Sequence, residues 1–364
     1  MKQNKKVLSL VFSVLLGVTA ALSGNVAKAA APDVKIEVGG LSKQIYLPFM
    51  LAQNLGMYQR YGVNVQLVDE PAGGDATDDM VAGAVNLTGG FYDHTIDLQT
   101  KGKIAESVAQ LLKSPGEVEL CRIDLQDKIK SPADWNMGVN LGVTGLGSST
   151  NFITRALAAH AKVPVTKIHS VVIGAGATFI AAFKNKTVDC GMTTEPTITQ
   201  VLQQKLGYVL VDMRYGDLTR QALGGTYVAT SVYGMTDWIS SHSDKVQAVV
   251  NALYDTMKWI DNHTAAEIAA KMPADYYAGT GLDAYVKALA DEKVMYNAAV
   301  REVPGGPAAV LKAESAGRIA AGSWTADQIS KVNLGATYTD NFVNTAVTLV
   351  GAWHAKNKIP VGKG

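Results

Sequence analysis

From Val34 to Val211 short apolar runs alternate with helix-patterned runs, and this alternation admits very few folds. Val34-Lys-Ile-Glu-Val38 reads as a strand, and Pro48 to Leu55 as a helix with proline in its first turn and Gly56 near its end. Val63 to Val68 reads as a second strand, Thr77 to Ala82 as a helix capped by Asp75, and Ala84 to Thr88 as a third strand. Gly89 to Thr95 is expected as a glycine turn opening a helix through Gln99, followed by strands at 107–112 and 118–123. The alternation resumes with a strand at 137–143 and a helix at 152–161, then a strand at 168–173 and a helix at 177–183. A strand at 187–192, a helix opened by Thr194-Glu-Pro196 and reaching Gln204, and a strand at 208–211 complete it. Strands joined through helices make right-handed crossovers and largely parallel sheets, whose ligands collect beyond the carboxyl ends of the strands. The class expected is therefore α/β. Past a strand at 226–230 the pattern turns helical, with amphipathic stretches at 246–260, 265–271, 282–296, 308–320 and 341–354.

One turn at a strand's carboxyl end stands out. Val143-Thr-Gly-Leu-Gly-Ser-Ser-Thr-Asn151 carries the chain from a strand into a helix. It places small hydroxyls and backbone N–H groups at a helix N-terminus, which suits an anion or polar ligand. The same residues also suit simple helix capping. The glycine-rich stretch beginning at Gly89 falls at an equivalent position, and two such turns suggest a cleft.

The N-terminus begins with Lys2, Lys5 and Lys6, continues through an apolar run from Val7 to Leu22, and reaches Ala27-Lys-Ala29. That is the layout of a cleaved secretory signal peptide, residues 1–29, directing the chain to the periplasm of a two-membraned bacterium. Removing Lys2, Lys5, Lys6 and Lys28 lowers the basic count from 33 to 29 against 32 acids, a formal charge of −3 instead of +1. Nothing in that balance supports a nucleic-acid partner. The remaining residues, 364 less 29 or 335, exceed what one core usually serves, so two lobes are expected. Cys121 and Cys190 sit in expected strands, and although an oxidising compartment permits a bridge, they are expected as buried free thiols. The six histidines show no metal-ligand spacing, so no metal or cofactor is expected.

Several segments, taken in order, resemble the periplasmic substrate-binding proteins of the nitrate/sulfonate/taurine ABC-importer group, which share a fold with fungal thiamine-pyrimidine synthases. They are Tyr46 to Tyr58, Tyr61 to Leu67, Met80 to Leu87, Ile129 to Trp135, Leu141 to Thr150, Phe183 to Pro196 and Tyr338 to Val343. Trp135 departs from the leucine usual in the group, a difference expected to be structural. The resemblance implies a two-lobed binding protein with a ligand cleft between lobes, each a mostly parallel sheet flanked by helices. It places residues 30–123 and 225–364 in the first lobe and 124–224 in the second. The hinge would be crossed near Arg122 to Leu125 and again near Gly224 to Thr230. It also implies a monomer that closes on a small molecule and presents it to an inner-membrane permease.

Carried onto this chain, the candidate ligand loops hold Ser42, Lys43, Gln44 and Tyr46, then Gly90, Phe91, Tyr92 and His94, and Gly147, Ser148, Ser149 and Thr150. Thr194 and Glu195 form a further candidate. Hydroxyls, amide and N–H groups would cradle a head group, and the aromatic rings would cover a ring or alkyl body, with core packing as their alternative role. Glu195 could accept an amine or could serve as a first-turn glutamate. No arginine clamp occurs in these loops. Relatives on the fold include desulfinases with a cysteine nucleophile, but neither cysteine falls in a candidate loop, and the synthases' cysteine-rich motif and a Gly-x-Ser-x-Gly elbow are lacking. The expected function is import of a small organic anion, sulfonate-like, without chemistry. A carboxylate or thiamine-precursor pyrimidine receptor, a membrane sensor, or an enzyme on the same fold are the alternatives.

Overall fold

The computed structural model describes residues 33–364; the expected signal peptide lies outside the described residues. Ten strands form two five-stranded sheets. They are β1 (Val34–Val38), β2 (Val65–Asp69), β3 (Leu87–Phe91), β4 (Ala105–Gln110) and β5 (Glu117–Arg122). β6 (Val139–Val143), β7 (Ile168–Val172), β8 (Cys190–Thr194), β9 (Gly207–Asp212) and β10 (Thr230–Met235) follow. The first sheet runs β2-β1-β3-β10-β4 and the second β7-β6-β8-β5-β9. The two orders are the same pattern. In each, one strand runs against its neighbours, β10 against β3 and β4 and β5 against β8 and β9. Each sheet is thus mixed, two ladders parallel and two antiparallel, where a mostly parallel sheet was expected, because one strand is contributed by the chain's passage between lobes.

That exchange moves one expected boundary. Pairing puts β5 in the second sheet, so the chain leaves the first sheet between Gln110 and Glu117, ahead of Arg122 to Leu125. The reason is a sheet contact that local pattern cannot reveal: β5 alternates charged and apolar residues, and nothing in that pattern says which sheet it joins. The return runs from β9 to β10 and contains the helix Gly216–Leu223, which the sequence pattern did not disclose. Residues 226–229, expected as strand, belong to this return, and the strand itself is Thr230–Met235. Gly89 and Gly90 are likewise inside β3 instead of a turn, because their backbones complete the ladders to β1 and β10.

The cysteines also depart from expectation. Cys121 and Cys190 lie directly opposite each other where β5 pairs with β8, and they form a disulfide. The antiparallel register brings together two residues 69 positions apart. Trp135 is fully buried, in keeping with a structural role.

Parallel strands buried on both faces explain the β-branched and leucine-rich runs, and the main core joins side chains of both sheets. The helix Ser243–Asn262 packs on the first lobe against Leu47–Asn54 and Asn341–Asn357. The helix Gly306–Ala320 crosses over and lies along Ser149–His160 of the second lobe. Gly317 permits that approach, since a Cβ there would stand 2.7 Å from the Arg155 carbonyl oxygen. No helix among the described residues is long and apolar enough to cross a membrane.

Candidate functional site

The carboxyl ends of both sheets meet around a small cavity of about 20 Å³. From the first lobe come Gly39, Lys43, Ile45, Tyr46, Gly73 and Phe91. From the second come Glu117, Thr144, Ser148, Ser149, Thr150, Ala175, Thr193 and Thr194. That volume holds roughly one water molecule. A wider groove of about 920 Å³ adjoins it, lined by Ser42, Lys43, Pro71, Tyr276 and the loop Val172 to Thr178 among others; Lys43 and Ala175 border both spaces.

Ser148 resolves the capping question raised by the sequence. Its backbone is extended ahead of the helix Ser149–His160, yet its side chain makes no capping bond. Its Oγ instead accepts the Gly74 N–H of the first lobe at 3.1 Å. Glycine is required at 74 because a Cβ would lie 2.8 Å from the Gly147 carbonyl carbon. Ser149 Oγ donates to Asp93 at 2.9 Å, a second bond across the lobes. Thr150 turns inward, its Oγ1 accepting the Thr144 N–H and pairing with the Thr144 hydroxyl. The Gln44 N–H donates to the Glu195 carbonyl at 3.1 Å and seals the cleft elsewhere. The helix's first N–H groups have no acceptor within the helix, and its first two residues line the cavity.

Lys43 is not the freely solvated lysine that is the default for the residue. Its ammonium donates to the Gly39 and Pro71 carbonyls at 2.6 and 2.9 Å. Burial brings its pKa down to about 8, against the opposing pull of Glu117, Asp69 and Glu70. Tyr46 and Phe91 meet edge to face at 6.4 Å between ring centroids and form the apolar floor.

Of the candidates named from sequence, Lys43, Tyr46, Phe91, Ser148, Ser149, Thr150 and Thr194 line the cavity and Ser42 lines the groove. Gln44, Gly90, Tyr92, His94, Gly147 and Glu195 line neither. Gln44 donates its side-chain amide to Tyr285 O, Tyr92 hydrogen-bonds Thr337, and Gly90 packs under the Tyr233 ring. Glu195 lies just ahead of the helix Thr197–Gln203, accepts the Thr199 N–H at 3.0 Å and stands 3.6 Å from Arg214. Glu117 was missed altogether. As the first residue of a reversed strand it reaches the carboxyl ends of its neighbours, directly opposite Thr194. Acids at 117 and 119 in an otherwise apolar strand were the available signal.

Ser149, His94 and Asp93 lie close together, but they do not make a nucleophilic triad. His94 Nε2 is 3.4 Å from Ser149 Oγ and 3.9 Å from Asp93, so serine and acid face the same ring nitrogen. A triad needs them on opposite nitrogens. The serine's hydrogen goes to Asp93, and burial lowers the His94 pKa. Among the described residues no group of three His, Cys, Asp or Glu side chains is placed to hold a metal.

Two like-ordered sheets, exchanged strands and a closed polar cavity between them define the two-lobed periplasmic binding-protein fold. The chain belongs to the NMT1-like family, whose model matches residues 29–274. It is 25% identical over 282 residues to the nitrate/nitrite binding protein NrtA of Nostoc sp., covering 71% of this chain and 61% of that one. The chain therefore spans less than two thirds of that relative. Among solved structures, a protein of Bordetella bronchiseptica RB50 matches with a TM-score of 0.80 and 26% identity, covering 87% of this chain and 98% of that one. The periplasmic nitrate-binding protein NrtA of Synechocystis PCC 6803 matches with a TM-score of 0.70 and 15% identity, covering 91% and 92%, a likeness of fold.

Proposed function

We propose that the protein is the periplasmic solute receptor of an ABC importer, closing on a small organic molecule and delivering it unchanged to a membrane permease. The supporting observation is the cavity itself, walled by Lys43, Tyr46 and Phe91 on one lobe and by Ser148, Ser149, Thr150 and Thr194 on the other. A cavity sized for about one water requires the lobes to part before a ligand enters and to close around it, so contacts with both lobes drive the population shift. The crossings at 111–116 and 213–229 are the hinge. Hydroxyls, a helix N-terminus and Lys43 suit an oxyanion head group, sulfonate-like or carboxylate-like, with its organic body in the adjoining groove. A nitrate ligand is the second reading, supported by the relatives named for nitrate binding. The serine hydrogen directed at Asp93 speaks against acyl-transfer chemistry.

A thermal-shift screen of the mature chain over sulfonates, carboxylates, aminopyrimidines and nitrate tests the reading. A ligand at 100 times its Kd stabilises the closed state by about 2.7 kcal/mol. A panel that leaves the melting temperature unmoved throughout overturns it. In a positive case, Ser148→Ala with Ser149→Ala weakens binding more than it lowers stability.

A further inference from the structure

One group in the cavity fits a bare oxyanion poorly. Glu117 is 3% exposed, and its Oε2 is buried without a hydrogen-bond partner. A buried acceptor in this state costs free energy unless something donates to it. The nearby cation cannot fully do so, since Lys43 directs two of its hydrogens to main-chain carbonyls. The other charged neighbours of Glu117 are Asp93 and Glu119, both acids, and burial above all pushes the Glu117 pKa well up. Glu119, two residues along the same strand, also has one oxygen without a partner, Oε1, but its Oε2 accepts the Thr154 hydroxyl at 3.1 Å and it does not line the cavity. Thr193, also lining the cavity, has a buried hydroxyl without a partner and can serve a ligand oxygen.

We propose that Glu117 determines specificity by accepting an N–H from the ligand, so that the natural ligand carries an amine, amidine or amino-heterocycle. This rests on the receptor reading above. A cationic N–H group satisfies Oε2 as the lobes shut and favours the charged carboxylate, whereas a donor-free anion leaves the buried carboxyl holding its proton and Oε2 without a donor. Charge-assisted hydrogen bonds of this kind discriminate strongly against analogues that lack the donor.

Calorimetric titration of the mature chain with matched pairs tests the proposal: 3-aminopropanesulfonate against propanesulfonate, β-alanine against propanoate, and 4-aminopyrimidine against pyrimidine, with nitrate alongside. The wild type is expected to prefer the amino member of at least one pair by about 10-fold or more. Glu117→Gln should reduce that preference to about 3-fold or less, while its ligand-free melting temperature stays at or above that of the wild type. Equal binding of amino and amine-free members by the wild type overturns the role of Glu117 and leaves the receptor reading standing. So does an undiminished preference in Glu117→Gln. If that variant does not fold, the wild-type pairs decide alone. Failure of every compound to bind overturns both readings.

Discussion

Two clusters of buried charge lie where the lobes meet, and they are built on opposite principles. Around Arg318 most groups have a partner, Arg318 Nη1 and Glu314 Oε2 being the two without a hydrogen bond. Its guanidinium pairs with Asp97, stands 3.7 Å from Glu314, and lies 3.6 Å over the Phe152 ring of the second lobe. Trp324 Nε1 also donates to Asp97 at 3.0 Å. Tyr227 contacts both Asp93 and Glu314 with one hydroxyl, which has a single hydrogen to give. That hydrogen faces Asp93 at 2.7 Å and Glu314 at 2.5 Å, and burial pushes the Glu314 pKa well up. Around Glu117, which lines the cavity, the carboxyl Oε2 has no donor. The first cluster holds the lobes together without a ligand; the second is left for one to complete. The difference separates structural charge from recognition charge better than burial does, because both clusters are equally buried.

Breaking the satisfied cluster should produce the largest effect. Arg318→Ala leaves buried Asp97 with the half-exposed Lys101 as its one cation beside the Trp324 N–H, and is expected to cost about 3–5 kcal/mol in urea unfolding. Arg318→Lys should recover only part of this, since lysine lacks the flat face that covers Phe152. A loss below about 1 kcal/mol for the alanine variant would show the cluster to be inessential.

The unsatisfied acids govern pH dependence. Burial raises Glu119 to about 8, and Glu302 likewise to about 8; Glu37, with burial the largest cause, rises to about 7. Each keeps its proton in the fold over a range where the unfolded chain has lost it. Their contribution is therefore complete below about pH 4.5 and declines as pH rises towards the folded values. The limiting slope is roughly 1.4 kcal/mol per pH unit for each such group. The melting temperature should fall between pH 5 and pH 8, and Glu119→Gln should flatten that fall. A melting temperature that rises over this window contradicts the assignment.

The two glycine approaches provide a finer comparison. Gly317→Ala presses on the Arg155 backbone at the satisfied cluster, and should cost about 1–3 kcal/mol in stability. Gly74→Ala presses on Gly147 at the cavity and should act mainly on closure: the radius of gyration in solution scattering increases and ligand affinity drops, with a smaller change in unfolding. The reverse ranking would make Gly74 a packing residue. Ser149→Ala, which removes one hydrogen bond across the lobes, should cost about 1 kcal/mol.

Much of this was legible beforehand. The strand–helix alternation marks β1, β6 and β7 nearly to the residue, and the turn Gly145 to Thr150 lies at the cavity as its position after a strand requires. Elsewhere the sequence pattern was silent or misleading. The acids of β5 look like solvent-facing residues of an ordinary strand, and nothing near them signals the reversed direction that sends Glu117 inward. Gly89 and Gly90 read as a turn because their place in β3 depends on β1 and β10, one of them 140 positions away.

What the sequence determined by itself is local: which segments extend, which coil, and which small hydroxyls open a helix at the end of a strand. These follow from side-chain periodicity and glycine and proline chemistry within a few residues. Tertiary structure alone decided the strand exchange, the Cys121–Cys190 bridge, the turning of Glu195 away from the cavity and of Glu117 towards it. Each depends on register between segments distant in the chain, and register is set by the packing of whole sheets. That is why Ser148, readable from sequence as a helix cap, instead accepts a hydrogen bond from the opposite lobe.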